Sequence, residues 1–317
     1  MKAAGLLFAG QGAQAVGMAR DVYERYPAAA AIIDEACSVL GFDLKKAMFE
    51  GPADELTATD VSQPAIYVHS YAVFRVLKEG GAFSVAGRSI VGAAGLSLGE
   101  YSALAAAGCF DWRDGLRLVR CRGELMQEAC AKRPGTMASV LGLEEDACRE
   151  ACEEASGAGI VTVANINSPG QIVISGETPA VEKAAEILRS RGAKRVIALA
   201  VAGAFHSPLM VEAADGLKSA LNALQFRALD FPVAANVTGR FIDSPEEAKG
   251  LLLKQLTGAV RFADCLKTLR AAGADSAVEI GPGKVLAGLA RRTIPDIQTL
   301  GAGSAQDILS MIGEDAG

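Results

Sequence analysis

"VGAAGLSLGEYSALAAAG", residues 91–108, decides how this chain is read. A short apolar run leads into G-L-S-L-G, and an Ala-rich amphipathic run follows at once. The apolar run fits a central strand, and the spacing after it fits a helix. Glycines on either side of Ser97 let the backbone turn sharply and keep side chains away from the turn. On this reading Ser97 is a nucleophile on an elbow, its hydroxyl lifted above a sheet edge. The free N–H groups of the following helix point at the same spot. The other reading is a small polar linker where a buried strand meets a helix. Which one holds depends on the rest of the chain.

Outward from that stretch, strands and helices alternate. Residues 4–8 read as a strand and 10–17 as a glycine loop. Residues 28–40 and 63–78 read as helices, stopped by Gly41 and by Gly80-Gly81. Residues 89–94 are the central strand, and 98–107 and 112–130 are helices. Such alternation implies a mostly parallel sheet covered on both faces. After Pro134-Gly135 the pattern changes. Residues 136–141 read as strand, 144–155 as helix, and 160–164 and 171–175 as strands around the turn signal "NSPG". Residues 179–191 read as a helix with Thr178 as N-cap, and 195–199 as a strand. The order β-α-β-β-α-β is the ferredoxin-like unit. It interrupts the larger pattern, which resumes with helices over 209–224, 251–256 and 262–271 and strands over 233–237 and 277–280. The expected division is a discontinuous large domain, 1–133 and 199–317, with a small subdomain at 134–198.

Composition narrows the function. The 317 residues are 50% apolar, enough for a large core. Lys and Arg number 31 against 37 Asp and Glu, a net charge of −6, so there is no basic excess of the kind a nucleic-acid footprint needs. No apolar run approaches the roughly 20 residues that span a bilayer. "MKAAGLLFAGQGAQA" has the outline of a signal peptide, but its apolar part is short and broken by Gly5. A buried strand running into a loop fits better. The seven cysteines include no C-x-x-C pair and the chain has two histidines, which argues against zinc and for reduced, mostly buried thiols. Cys148 and Cys152 are four apart, as on one helix face.

A serine nucleophile needs a base. His69 lies mid-helix in "AIYVHSYAVF" and reads as a packed histidine. His206 lies in "VAGAFHSPLM", between a strand and a Pro-led helix, where α/β sites gather. If Ser97 is activated by a base, His206 is the better histidine. The Leu98 N–H, next to the nucleophile, is one donor for a developing oxyanion. The loop "AGQGAQ" could supply another. That loop is no dinucleotide fingerprint, since Ala15 stands where the third glycine belongs, and "GPGK" at 281–284 is no Walker loop.

Seven blocks occur in order: "FAGQGAQAVGM", "GLSLGEYSALAAAG", "RGELMQEA", "NINSPGQIVISG", "GAFHSPLM", "NVTG" and "VEIGPGKVLAGL". By these the chain resembles, along essentially its whole length, the malonyl-CoA:acyl carrier protein transacylases. The resemblance implies an α/β-hydrolase-like core with an inserted ferredoxin-like subdomain. It implies Ser97 as nucleophile, His206 as general base, and the backbone N–H groups of Gln11 and Leu98 as the oxyanion hole. Arg122 matches the arginine that holds the malonyl carboxylate, though alone it would read as a surface charge beside Arg117 and Arg120. Gln255 matches the glutamine whose main-chain carbonyl orients the histidine; no Asp completes a triad. The "GAFH" ending resembles the malonyl-type signature of polyketide acyltransferases, with Phe205 at the pocket wall crowding an α-methyl; the other reading of Phe205 is a packed core residue. One departure stands out: Leu96 replaces the usual His of G-H-S-L-G.

The implied reaction is ping-pong malonyl transfer from malonyl-CoA to the phosphopantetheine thiol of acyl carrier protein, supplying fatty acid synthesis in the cytoplasm. It needs no metal or redox cofactor. The partners are the carrier protein and malonyl-CoA, without nucleic acid or membrane, and the chain is expected to be monomeric. Lys183, Arg189, Arg191, Lys194 and Arg195 are candidates for docking an acidic carrier, or simply a solvated face. Three rivals remain: a serine esterase or thioesterase, a discrete malonyl acyltransferase of a polyketide synthase, and a non-catalytic carrier binder.

Overall fold

The computed structural model describes residues 3–83 and 89–313. Residues 1–2, 84–88 and 314–317, part of the expected large domain, lie outside the described residues. The N-terminal apolar run forms β1 (Ala3–Phe8), and the run before Ser97 forms β2 (Ser89–Gly95). Then come β3 (Thr136–Leu141), β4 (Val161–Ser168), β5 (Gln171–Gly176) and β6 (Arg195–Ala198). Last are β7 (Val233–Ala234), β8 (Ser276–Ile280) and β9 (Gln298–Ala302).

Two separate sheets result, giving a mixed α/β fold. One is parallel, in the order β7-β2-β1-β8-β9. The other is antiparallel, in the order β4-β5-β3-β6. β1 explains the first sheet. Its side chains alternate between faces: Leu6 and Phe8 enter the core that includes the long helix Thr59–Glu79, while Leu7 enters the core on the opposite face with Phe262 and Leu266. A strand buried on both faces must read as a continuous apolar run. The second sheet has a core of its own with the inward faces of Glu145–Ala155 and Thr178–Ser190, including Cys148 and Cys152. The two parts are stitched where Ile166 N–H donates to the Val260 carbonyl and Val260 N–H to that of Ala164, both at 2.8 Å. All seven cysteines are free.

The elbow is packed through backbone. A Cβ on Gly95 would lie 1.9 Å from the Gly99 carbonyl carbon, one on Gly99 2.1 Å from the Phe8 oxygen, and one on Gly10 2.3 Å from the Leu96 oxygen. The β2 end, the following helix and the loop after β1 therefore interlock where only glycine fits. Gly99→Ala cannot be absorbed by a rotamer change. It is expected to cost about 3 kcal/mol, the upper end for overpacking, or more. A urea titration measures it, as a lowered midpoint.

Several elements differ from the sequence reading. The helix expected over 63–78 begins at Thr59, with Pro64 inside it. Proline frees the carbonyl four residues back, and here Arg120 Nη1 donates to that Asp60 oxygen at 2.7 Å. Thr178 is the first helical residue rather than the cap, and the N-cap Glu177 instead accepts from the Ile160 N–H at 2.7 Å. The strand expected over 233–237 stops at Ala234, because Asn236 turns into the site and gives its N–H to Glu100. β4 runs on to Ser168. The helix expected over 251–256 starts at Pro245, capped by Ser244, whose hydroxyl accepts from the Glu247 N–H. The 209–224 helix opens with a 3-10 turn, Pro208–Met210. Among the described residues no helix is long and apolar enough to cross a membrane.

Candidate active site

Ser97 leaves β2 and caps the helix Leu98–Ala106 with φ 54° and ψ −103°. Left-handed backbone at a non-glycine residue costs about 1–3 kcal/mol and persists only where its surroundings over-determine it. His206 is a second such residue, at φ 58°. The two strained residues meet: Ser97 Oγ lies 2.8 Å from His206 Nε2. On the other side of the ring, His206 Nδ1 lies 2.8 Å from the Gln255 main-chain oxygen. A carbonyl only accepts, so Nδ1 carries the hydrogen and Nε2 presents its lone pair to the serine hydroxyl. Burial, and then the charge of Arg122, push the His206 imidazole down to about 4, which keeps it neutral at physiological pH.

Arg122 is the third group at Ser97. It is only 1% exposed, unlike its helix neighbours Arg117, exposed in an ion pair with Asp114, and Arg120, half-buried in ion pairs with Asp60 and Glu124. Helix geometry accounts for the difference. Gly123 lets the helix Trp112–Lys132 approach the start of the Thr59–Glu79 helix, where a Cβ would lie 2.8 Å from Asp60 Cα. That approach brings the Arg122 guanidinium to Gln63, whose Oε1 accepts from Nη1 at 2.6 Å. Nη2 donates to Ser97 Oγ and to Gln255 Oε1, both at 3.1 Å. The guanidinium lies 5.1 Å from the centroid of the Tyr101 ring. Every one of these oxygens is neutral, and Nε has no partner. Burial lowers the Arg122 pKa from its ordinary value, against the opposing influence of Tyr101 and Glu100. A buried cation bonded only to neutral acceptors is a strong site for an anion.

A cavity of about 600 Å³ opens onto Ser97 and His206, lined also by Gln11, Met126 and Phe205. Met137, Asn165, Asn167 and Val173, from the antiparallel sheet, complete its wall, so it lies between the two sheets. Phe205 is buried and also lines the cavity. Leu96 is half-buried, lines the cavity and packs against the core that holds Leu7 and Phe262, placing an apolar side chain beside the nucleophile. Leu98 opens the helix after the elbow, and Gln11 sits on the loop that crosses it. Among the described residues neither the Leu98 N–H nor the Gln11 N–H has a hydrogen-bond partner. His69 is packed elsewhere, with Nε2 2.9 Å from the Gly303 oxygen. Lys183 pairs with Glu186, and Arg191 with Glu150 and Glu154, while Arg189, Lys194 and Arg195 are exposed.

Sequence reasoning assigned no role to four residues that touch this site: Gln63, Glu100, Tyr101 and Asn236. Glu100, Tyr101 and Asn236 lie inside the quoted blocks "GLSLGEYSALAAAG" and "NVTG", which gave them no role, and Gln63 lies outside every quoted block. The side chain of Gln255 was also unassigned, although its carbonyl was expected at the histidine.

The acyl transferase domain family matches residues 6–310. The malonyl CoA-acyl carrier protein transacylase of Bacillus subtilis is 42% identical over 306 residues, covering 95% of this chain and 94% of that protein. The crystal structure of the acyl-carrier-protein S-malonyltransferase of Bartonella henselae superposes with a TM-score of 0.92 at 43% identity, covering 98% of this chain and 99% of that one. A malonyl transacylase solved in complex with its type II polyketide synthase acyl carrier protein matches with a TM-score of 0.93 at 38% identity and 98% coverage of both chains. A serine–histidine pair with a buried arginine, on a fold and sequence shared with these enzymes, places the chain in the acyl transferase family, among the malonyl CoA-acyl carrier protein transacylases.

Proposed function

We propose that this protein transfers the malonyl group of malonyl-CoA to the phosphopantetheine thiol of acyl carrier protein through a malonyl-serine ester, in the cytoplasm, for fatty acid synthesis. The observation that carries the reading is Arg122, a buried guanidinium with neutral partners within hydrogen-bond reach of the Ser97 hydroxyl. An acyl group on Ser97 that ends in a carboxylate meets a charge there, and a simple acetyl does not.

The steps follow from the geometry. Ser97 Oγ attacks the thioester carbon as its proton passes to His206 Nε2. Negative charge gathers on the carbonyl oxygen, where the N–H groups of Leu98 and Gln11 are the donors. The C–S bond breaks, and His206 returns the proton to the departing coenzyme A sulfur. The malonyl ester remains with its carboxylate on Arg122, replacing neutral acceptors by a charge-assisted pair. The carrier thiol then gives its proton to His206, its sulfur attacks the ester carbon, and Ser97 leaves and regains the proton. These steps use no metal or redox cofactor. Phe205 crowds an α-methyl on the acyl group, worth about 1–3 kcal/mol of preference for malonyl. All five basic candidates are exposed, and Arg189, Lys194 and Arg195 are those outside the ion pairs of Lys183 and Arg191, so they lead the basic docking face. The chain acts as a monomer.

Within this reading the parallel-sheet part, 1–133 and 199–317, is an α/β-hydrolase-like catalytic domain. Residues 134–198 are a ferredoxin-like subdomain, supported by the β-α-β-β-α-β connectivity and the order β4-β5-β3-β6.

The test is intact mass after malonyl-CoA without carrier. A stable ester that holo carrier protein discharges supports transfer; fast steady hydrolysis favours an esterase. The structural match to a polyketide carrier's transacylase keeps a polyketide carrier as a second acceptor, decided by comparing discharge rates on the two carrier types. The pH profile checks the base. His206 works as neutral imidazole and its pKa is about 4, so acylation should hold as pH falls to 5 and then drop about tenfold per unit below 4. Glu100, which burial pushes up to about 7, titrates well above that limb. A histidine limb near 6.5 would contradict the buried setting.

A further inference from the structure

The steps above leave Glu100 unused, yet its side chain is fully buried three residues past the nucleophile. Its Oε2 accepts from Gln255 Nε2 at 2.6 Å and from the Asn236 N–H at 3.1 Å. These two partners hold Ser97 from both sides. Asn236 Oδ1 accepts from the Ser97 N–H at 2.8 Å, and Gln255 Nε2 donates to the Ser97 carbonyl at 3.0 Å. Asn236 Nδ2 donates to the Gly95 oxygen at 2.7 Å, which fixes the amide with its oxygen toward the serine. Gln255 is also the residue whose carbonyl takes His206 Nδ1 and whose Oε1 takes Arg122 Nη2. The two hydrogens on Gln255 Nε2 are shared among Glu100, Ser97 and Asn236, and the Glu100 contact is the shortest.

One carboxyl oxygen therefore ties together three chain segments that each hold a reacting group. Burying a carboxyl is costly. A left-handed Ser97 also needs its peptide groups pinned. We propose that Glu100 is a positioning residue that acts through Asn236 and Gln255, fixing the strained backbone of Ser97 and the carbonyl that sets the tautomer of His206. It fills the place of a triad carboxylate one link further out, joined to the histidine through a glutamine. What the brace requires is an acceptor at full glutamate reach. Its charge is secondary, because the carboxyl is already partly protonated near neutrality.

The proposal rests on the acyl transfer reading for its kinetic arm alone. Glu100→Gln keeps the reach and an acceptor oxygen without the charge; Glu100→Asp keeps the charge and loses the reach. Single-turnover acylation by malonyl-CoA, followed by intact mass and corrected for folded fraction, is expected to slow about 100-fold in Glu100→Asp, the cost of roughly 1 Å of misplacement. In Glu100→Gln it should stay within about fivefold of wild type. Imidazole nitrogen NMR of the protein without substrate is the independent arm. His206 should be the Nδ1–H tautomer in wild type and Glu100→Gln, and mixed in Glu100→Asp. The reverse order of rates, a wild-type rate in Glu100→Asp, or an unchanged tautomer in Glu100→Asp overturns the brace. A wild-type chain that forms no malonyl ester overturns the transfer reading instead, and the tautomer still decides the brace.

Discussion

Ser97→Ala is expected to fold, to gain no mass from malonyl-CoA, and to transfer malonyl at least about 10⁴-fold more slowly. The Oγ is the atom that forms the ester, and the variant offers no nucleophile in its place between His206 Nε2 and Arg122 Nη2. The backbone adds no penalty: serine already carries a Cβ at φ 54°, so alanine bears the same strain. The Leu98 and Gln11 N–H groups and Arg122 remain, so the variant should still bind malonyl-CoA. Intact mass, turnover and calorimetric binding together check this. Binding retained with the ester lost identifies the nucleophile. An ester that persists in Ser97→Ala places the acyl group on another residue. Carrier binding unchanged by Ser97→Ala, with no malonyl ester formed by the unsubstituted chain either, would make the chain a carrier binder.

The parts of this site that sequence made legible are those where one residue does one thing in a fixed local frame. G-L-S-L-G is such a frame, because a strand, a turn and a helix within ten residues leave the serine only one way to point. His206 became legible by scarcity, as one of two histidines. Arg122 was not legible locally. Its helix carries Arg117 and Arg120 on the same stretch, and only the close approach at Gly123 makes Arg122 fully buried while Arg120 is half-buried and Arg117 exposed. The same holds for Glu100, Asn236 and Gln63, whose roles depend on contacts between segments 19 to 155 residues apart. The fold shows this division too. β1, β2 and the βαββαβ order follow from local pattern. The early start of the Thr59–Glu79 helix depends on Arg120 reaching the carbonyl that Pro64 frees, and the early end of β7 on Glu100 drawing Asn236 inward. Local periodicity carries no trace of a partner from another element.

Arg122→Ala is expected to change which acyl group the enzyme prefers. Truncating one partner of a buried charge pair costs about 2–5 kcal/mol, so kcat/KM for malonyl-CoA should fall about 30- to 5,000-fold. Acetyl-CoA lacks the carboxylate and should lose much less. The substitution also does damage unrelated to the substrate. Arg122 is among the largest fully buried side chains, and removing it leaves a hole and strips a donor from Gln63 Oε1 and Gln255 Oε1. Looser packing around Gln255 would disturb the His206 carbonyl contact as well. Those effects fall on both thioesters alike, because both use the same serine, histidine and oxyanion donors. The ratio of the two kcat/KM values cancels them and leaves the interaction with the malonyl carboxylate. A selective loss of malonyl transfer therefore assigns the clamp to Arg122 even in a less stable variant. Equal losses for malonyl and acetyl would remove Arg122 from substrate recognition and leave it a structural cation that orders Gln63, Gln255 and the Ser97 hydroxyl.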